Sequence, residues 1–145
     1  MATDVTPLDD RLGFLLKTAY AQLAQRVDAA LAPLGLTARQ LAVLSVIAAD
    51  DALSQIALGE RLGVDRTTIV AMLDELEGSG LVERRRDPRD RRRNALVLTG
   101  SGRARVMRAE RTRAAAESAF LSRLDESAAR DLVAALRSLV RHPDG

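Results

Sequence analysis

Residues Leu81 to Thr99 constrain the fold more than any other part of the chain. Two short apolar runs, Leu81-Val82 and Ala95 to Leu98, bracket a segment that carries seven arginines and the turn-forming residues Asp87-Pro88-Arg89-Asp90. So many like charges cannot be packed inside a protein. The stretch therefore predicts an exposed β-hairpin with Leu96 and Leu98 on one face of its second strand and a tip suited to phosphate. Everything before and after it reads as helix.

Residues 1–7 are polar, end at Pro7 and show no periodicity, which predicts a frayed tail. From Leu8 onward apolar residues recur at three and four (Leu12, Leu15, Leu16, Ala19, Leu23, Val27, Leu31), predicting one helix of about 24 residues that Pro33 and Gly35 stop. Thr37 is placed to cap a second helix with Leu41, Leu44, Val46 and Ile47 as its stripe, ended by Asp50-Asp51. Ser54 caps a short third helix with Ile56, Leu58 and Leu62 facing inward and Gly63 as its stop. Gly59 inside that helix costs about 1 kcal/mol against Ala, so it marks a place where another helix backbone comes close. Asp65 caps a fourth helix, Arg66 to Ser79, with Ile69, Val70, Leu73 and Leu76 on one side. After the hairpin, Thr99 caps a fifth helix with mostly small apolar positions (Val106, Ala109, Ala115, Ala116, Ala119), and Asp125 opens a last one whose stripe runs from Ala128 to Val140 and stops at His142-Pro143.

The third and fourth helices, joined by a Gly-containing turn, form a helix–turn–helix pattern. Opposite the apolar stripe of the fourth helix lie Thr67, Thr68, Ala71, Asp74 and Glu75. That face is neutral and small at its start and acidic at its end, so only its first two turns suit a DNA major groove, and Asp74 and Glu75 would repel phosphate.

Charge distribution agrees. Net charge is only +2, yet residues 1–79 hold 6 basic against 11 acidic side chains, residues 80–113 hold 12 against 4, and residues 114–145 hold 4 against 5. One segment alone attracts a polyanion. Arginine suits bidentate phosphate or guanine contact, although a GC-rich genome would produce the same preference.

At 145 residues the chain fits one domain, and a small domain often completes its core by dimerising. The composition is 47% hydrophobic but 2% aromatic, so the core must be Leu, Val and Ala, which suits helix on helix. With no Cys and a lone His142, thiol chemistry is excluded and no metal or cofactor is implied. No phosphate-cradling glycine loop or Glu/Asp/His cluster at ligand spacing is present, which argues against an enzyme. No apolar run reaches the roughly 18 to 20 residues of a membrane span, and the acidic start lacks a signal-peptide pattern. The expected location is cytoplasmic, without membrane association.

Helix–turn–helix followed by an arginine-tipped hairpin resembles the MarR family of bacterial transcriptional regulators, from about Leu8 to Arg141. The resemblance is carried by Gln55 through Val64, Asp65-Arg66-Thr67-Thr68-Ile69-Val70, Leu73-Asp74-Glu75-Leu76-Glu77 with Gly80-Leu81-Val82, and Asp87-Pro88-Arg89-Asp90-Arg91-Arg92 running into Leu98-Thr99 and Gly102. It implies a mostly α fold with a small β-hairpin wing. One domain would cover 8–142, with 8–34 and 101–142 as dimerisation helices around a winged helix–turn–helix core at 37–99. It also implies a homodimer, two recognition helices about 34 Å apart reading a pseudo-palindrome in double-stranded DNA, and repression more often than activation.

Carried over by position, Asp65, Arg66, Thr67, Thr68 and Ala71 form the DNA-reading start of the recognition helix. Ser54 and Gln55 meet the DNA backbone, and Arg86, Arg89, Asp90, Arg91 and Arg92 belong to the wing. Arg92 is the arginine inserted in the minor groove and Asp90 its orienting partner, or else a simple turn former. Arg84, Arg85 and Arg86, on the strand leading to the tip, are assigned to the DNA backbone. Many relatives carry a polar reader where this chain has Ala71, which shifts base reading to Thr67, Thr68 and Arg66. Small, often aromatic or phenolic, effectors release family members from DNA, and Tyr20, Arg26 and Met72 are candidates for contacting one, although helix packing explains each of them too. The competing reading is a winged-helix module whose basic wing docks on an acidic protein without a specific operator.

Overall fold

The structure is a computed structural model that describes residues 5–50 and 53–141, except for the side chains of 91–93. Its elements are α1 (Leu12–Leu31), α2 (Ala38–Ala49), α3 (Gln55–Leu62), α4 (Arg66–Gly78), β1 (Val82–Asp87), β2 (Asp90–Leu98), α5 (Gly100–Leu121) and α6 (Glu126–Arg141). The chain divides into two compact units, one from Val27 to Arg113 and the other made of the segments before and after it. Both α1 and α5 continue from one unit into the other. No single helix among the described residues is long and apolar enough to cross a bilayer.

The first helix is shorter than its periodicity predicts. Leu8–Asp10 form a 3-10 turn, Arg11 is extended, and α1 starts only at Leu12. At its other end Ala32–Leu34 form a second 3-10 turn. Pro33 supplies no N–H and disfavours α geometry in the residue before it, so the α-helix stops two residues earlier. Apolar spacing runs through such turns unchanged, because it records burial and not hydrogen bonding.

Within the unit from Val27 to Arg113, local signals hold closely. Thr37 and Gln40 make a reciprocal capping box at α2: the Gln40 N–H donates to Thr37 Oγ1 at 3.1 Å and the Thr37 N–H to Gln40 Oε1 at 3.0 Å. The α2 stripe is broader than expected, with Val43 buried beside Leu41, Leu44 and Ile47 while Val46 is half-buried. Ser54 caps α3 by accepting the Ala57 N–H at 3.2 Å, and Gly63 ends it in a left-handed conformation, φ 63°, open to glycine at little cost. Ile56, expected inside, is 67% exposed. Residues two apart on a helix point about 200° from one another, so Ile56 and Leu58 cannot share a face, and Leu58 holds the core. Gly59 is a close-approach site, but what approaches is the turn: a Cβ there would lie 3.1 Å from the Val64 carbonyl oxygen.

The α4 stripe is Ile69, Met72, Leu73 and Leu76, all buried, with Val70 half-buried. The hairpin strands are longer than the apolar runs alone indicate. They pair antiparallel from Val82 opposite Leu98 to Asp87 opposite Asp90, with an irregularity after Arg86, so the turn shrinks to Pro88-Arg89. The Leu96 N–H also donates to the Leu53 carbonyl at 3.0 Å, tying the wing to the segment that leads into α3. At the wing's base the Thr99 N–H donates to the Leu81 carbonyl at 3.1 Å, and the Thr99 hydroxyl donates to the Gly80 carbonyl at 2.6 Å while accepting the Gly102 N–H at 2.9 Å. Every buried apolar residue among those described lies in this unit.

The other unit contains the start of α1, the end of α5 and α6. Asp125 caps α6 by accepting the Ala128 N–H at 2.8 Å. No residue of α6 is buried: Leu139 is 63% and Val140 77% exposed, and Leu132, Val133, Leu12, Leu15 and Leu16 are exposed too. Two amphipathic helices with apolar stripes turned to solvent leave this unit without a finished core.

Candidate nucleic-acid interface

The start of α4 is built by its cap. Asp65 Oδ1 accepts the Thr68 N–H at 2.9 Å and Oδ2 accepts the Thr68 hydroxyl at 2.7 Å. These two bonds from Thr68, backbone first, hold the Asp65 carboxyl below the usual carboxylate range. Two sequence-assigned readers are thereby partly committed: both Asp65 oxygens serve the helix end, and Thr68, half-buried, has given up its only hydroxyl proton. Arg66, Thr67 and Ala71 are exposed and present a charge, a hydroxyl and a methyl group. Ser54 is occupied as the α3 cap. Gln55 and Arg66, together with the exposed Ile56, line an open cleft of about 560 Å³ whose floor is Gly59 and Ile69. The first turns of α3 and α4 thus face one groove, with Ile56 as its apolar wall and not part of the core.

In the wing, Arg86 and Arg89 are exposed and form no ion pair among the described residues. The Arg89 N–H donates to Asp87 Oδ1 at 2.9 Å, which tightens the tip. Asp90 opens β2 opposite Asp87. Arg91 and Arg92 follow it in the strand, but their side chains, and with them the expected Asp90–Arg92 contact, lie outside those described.

The remaining two arginines of the first strand are engaged within the chain. Arg84 Nη2 donates to Asp74 Oδ1 at 2.9 Å and Nη1 to Glu77 Oε2, both on α4. Arg85 pairs with Glu83 at 2.9 Å. Strand alternation places Arg84 on the face of the buried Val82, toward α4, so it is held by the protein's own acids and not by the DNA backbone that its place in the strand suggests. Glu75 accepts a bond from Gln40 Nε2 at 3.2 Å.

Of the candidate effector contacts, Tyr20 is exposed and the Arg26 guanidinium lies 5.9 Å from the Phe120 ring centre, both in the helical unit, whereas Met72 is buried in the core of the winged one. Among the described residues no group of three or more His, Asp or Glu could hold a metal ion.

A helix–turn–helix whose second helix has a capped, exposed start, followed in the chain by an exposed arginine hairpin, defines a winged helix–turn–helix protein of the DNA-binding class. Comparison with known proteins agrees. The MarR family profile matches residues 36–93. The transcriptional repressor Rv2887 of Mycobacterium tuberculosis is 34% identical over 131 residues, 90% of this chain and 94% of that protein. The repressor CouR bound to a 23-mer DNA duplex superposes with a TM-score of 0.83 at 35% identity, covering 92% of this chain and 94% of that one. CouR from Rhodococcus jostii bound to p-coumaroyl-CoA gives a TM-score of 0.83 at 29% identity, over 97% and 99% of the two chains. The chain belongs to the MarR family of transcriptional regulators, which are DNA-binding proteins and not enzymes.

Proposed function

We propose that this protein is a homodimeric cytoplasmic repressor that binds a pseudo-palindromic operator and is released by a small aromatic or phenolic ligand. The observation that carries the proposal is the pairing of one capped helix start, whose exposed side chains are Arg66, Thr67 and Ala71 and whose only acid, Asp65, is held in the cap, with a hairpin that bears Arg86 and Arg89 at its exposed end. The helix start reads base edges in the major groove, and the wing reads the width of the adjacent minor groove through arginine. Arg92 is the inserted side chain by its place in the wing, oriented by Asp90. Segments 8–34 and 101–142 join two copies, and the exposed stripes of α1 and α6 are the apolar surface such pairing buries. A repressor solved both with DNA and with a phenolic acyl thioester is the similar chain that supports ligand release. Tyr20 and Arg26 are the side chains to test for effector contact.

A gel shift on the DNA adjoining the protein's own gene tests this. Binding that is weak for every duplex and erased by moderate salt would favour a protein-docking module instead. With an operator in hand, Arg92→Ala is expected to weaken binding and to reduce the slope of log affinity against log salt by about 1. Thr67→Ala, which removes the exposed hydroxyl of the helix start, is expected chiefly to change sequence preference. Wild-type slope and affinity in both variants would remove the assignment.

A further inference from the structure

We infer that Arg84 is a positioning residue for operator binding: it touches no DNA, but screens the acidic end of the recognition helix so that the helix start can dock. The inference rests on the DNA-binding reading above. Asp74 and Glu77 are three residues apart on α4, hence on one face. Arg84 reaches both with separate nitrogens of one guanidinium, Nη2 to Asp74 at 2.9 Å and Nη1 to Glu77. Its side chain is only 24% exposed, against 67% for its neighbour Arg85. A surface ion pair contributes little to stability, about 0 to 1 kcal/mol, so folding alone does not explain a charge held this way.

Its place explains it better. A helix that enters the major groove at its start carries its end past the phosphates, and here that end holds Asp74, Glu75 and Glu77. Unscreened, these charges oppose docking. The planar fork of arginine spans two carboxylates at once, which a lysine ammonium cannot do with the same geometry.

The test is a double-mutant cycle on the full-length protein, read as operator affinity by fluorescence anisotropy. R84A is expected to weaken binding by about tenfold or more, and R84K by less. Adding D74N and E77Q to R84A should restore affinity to within about threefold of wild type, whereas the same pair added to wild type or to R86A should change it by no more than about threefold. An equal gain in all three backgrounds would overturn the inference, since Arg84 would then be one basic charge among others. Should R84A melt below the assay temperature, the R84K cycle with D74N and E77Q carries the same coupling with the same sign, and its absence overturns the inference equally. Failure of the wild-type protein to bind any duplex would overturn the regulator reading and this inference together. Intact wild-type binding without coupling would overturn this inference alone.

Discussion

Gly102 sits in the first turn of α5, where alanine would ordinarily stabilise a helix by about 1 kcal/mol. Here a Cβ would stand 2.1 Å from the Leu81 carbonyl oxygen, a backbone atom that cannot rotate away and that also accepts the Thr99 N–H. Overpacking against such an atom costs about 1 to 3 kcal/mol or more, so the clash outweighs the propensity. Gly102→Ala is expected to lower the melting temperature by several degrees, while Gly100→Ala, with nothing within 4 Å, leaves it unchanged or raises it. Asp65 gives a pH dependence. Its folded pKa is lowered by the two bonds from Thr68, so the stability it contributes is fully present above the unfolded value near 3.9 and is lost as pH falls through the lower folded value. Asp65→Ala is therefore expected to melt below wild type at pH 7, with the difference closing toward pH 2. A constant difference across that range would show that the carboxylate's charge plays no part in the cap.

Elements were legible where a local signal decides them. Thr37, Ser54, Asp65, Thr99 and Asp125 cap the helices they were expected to cap, because a cap needs only its own side chain and an N–H two or three residues on. Removing the capping box by Thr37→Ala is expected to cost about 1 kcal/mol, readable as a lower denaturant midpoint with an unchanged slope. The misjudged details have separate causes. Where α1 begins and ends follows from 3-10 turns that share the apolar spacing of the helix. The hairpin runs farther than its apolar residues because backbone pairing continues through exposed arginines, which periodicity reads as turn. Ile56 was legible and misread, since its angle from Leu58 already excluded it from the core.

For the whole molecule, the contrast between the two units carries the prediction. One holds all the buried apolar residues described, and the other leaves Leu132, Val133, Leu139 and Val140 open. If a second copy covers them, Leu139→Glu places a charge in that interface, where an unpaired buried charge costs several kcal/mol. The variant is expected to sediment as a monomer and to lose operator binding, with the helix content of the winged unit kept. A dimer that persists at micromolar concentration would count against this face as the interface. By itself the sequence determined the order of elements, the caps, the glycine stops, the concentration of positive charge in one hairpin and the class of protein, because each depends on neighbours in the chain or on composition. Only the tertiary structure decided which charges in that hairpin remain available. Arg84 and Arg86 look alike in the sequence, but β1 lies along α4, where Asp74 and Glu77 take up the first and leave the second exposed. Partners distant in the chain set the role of a charge, and no pattern along the chain records them.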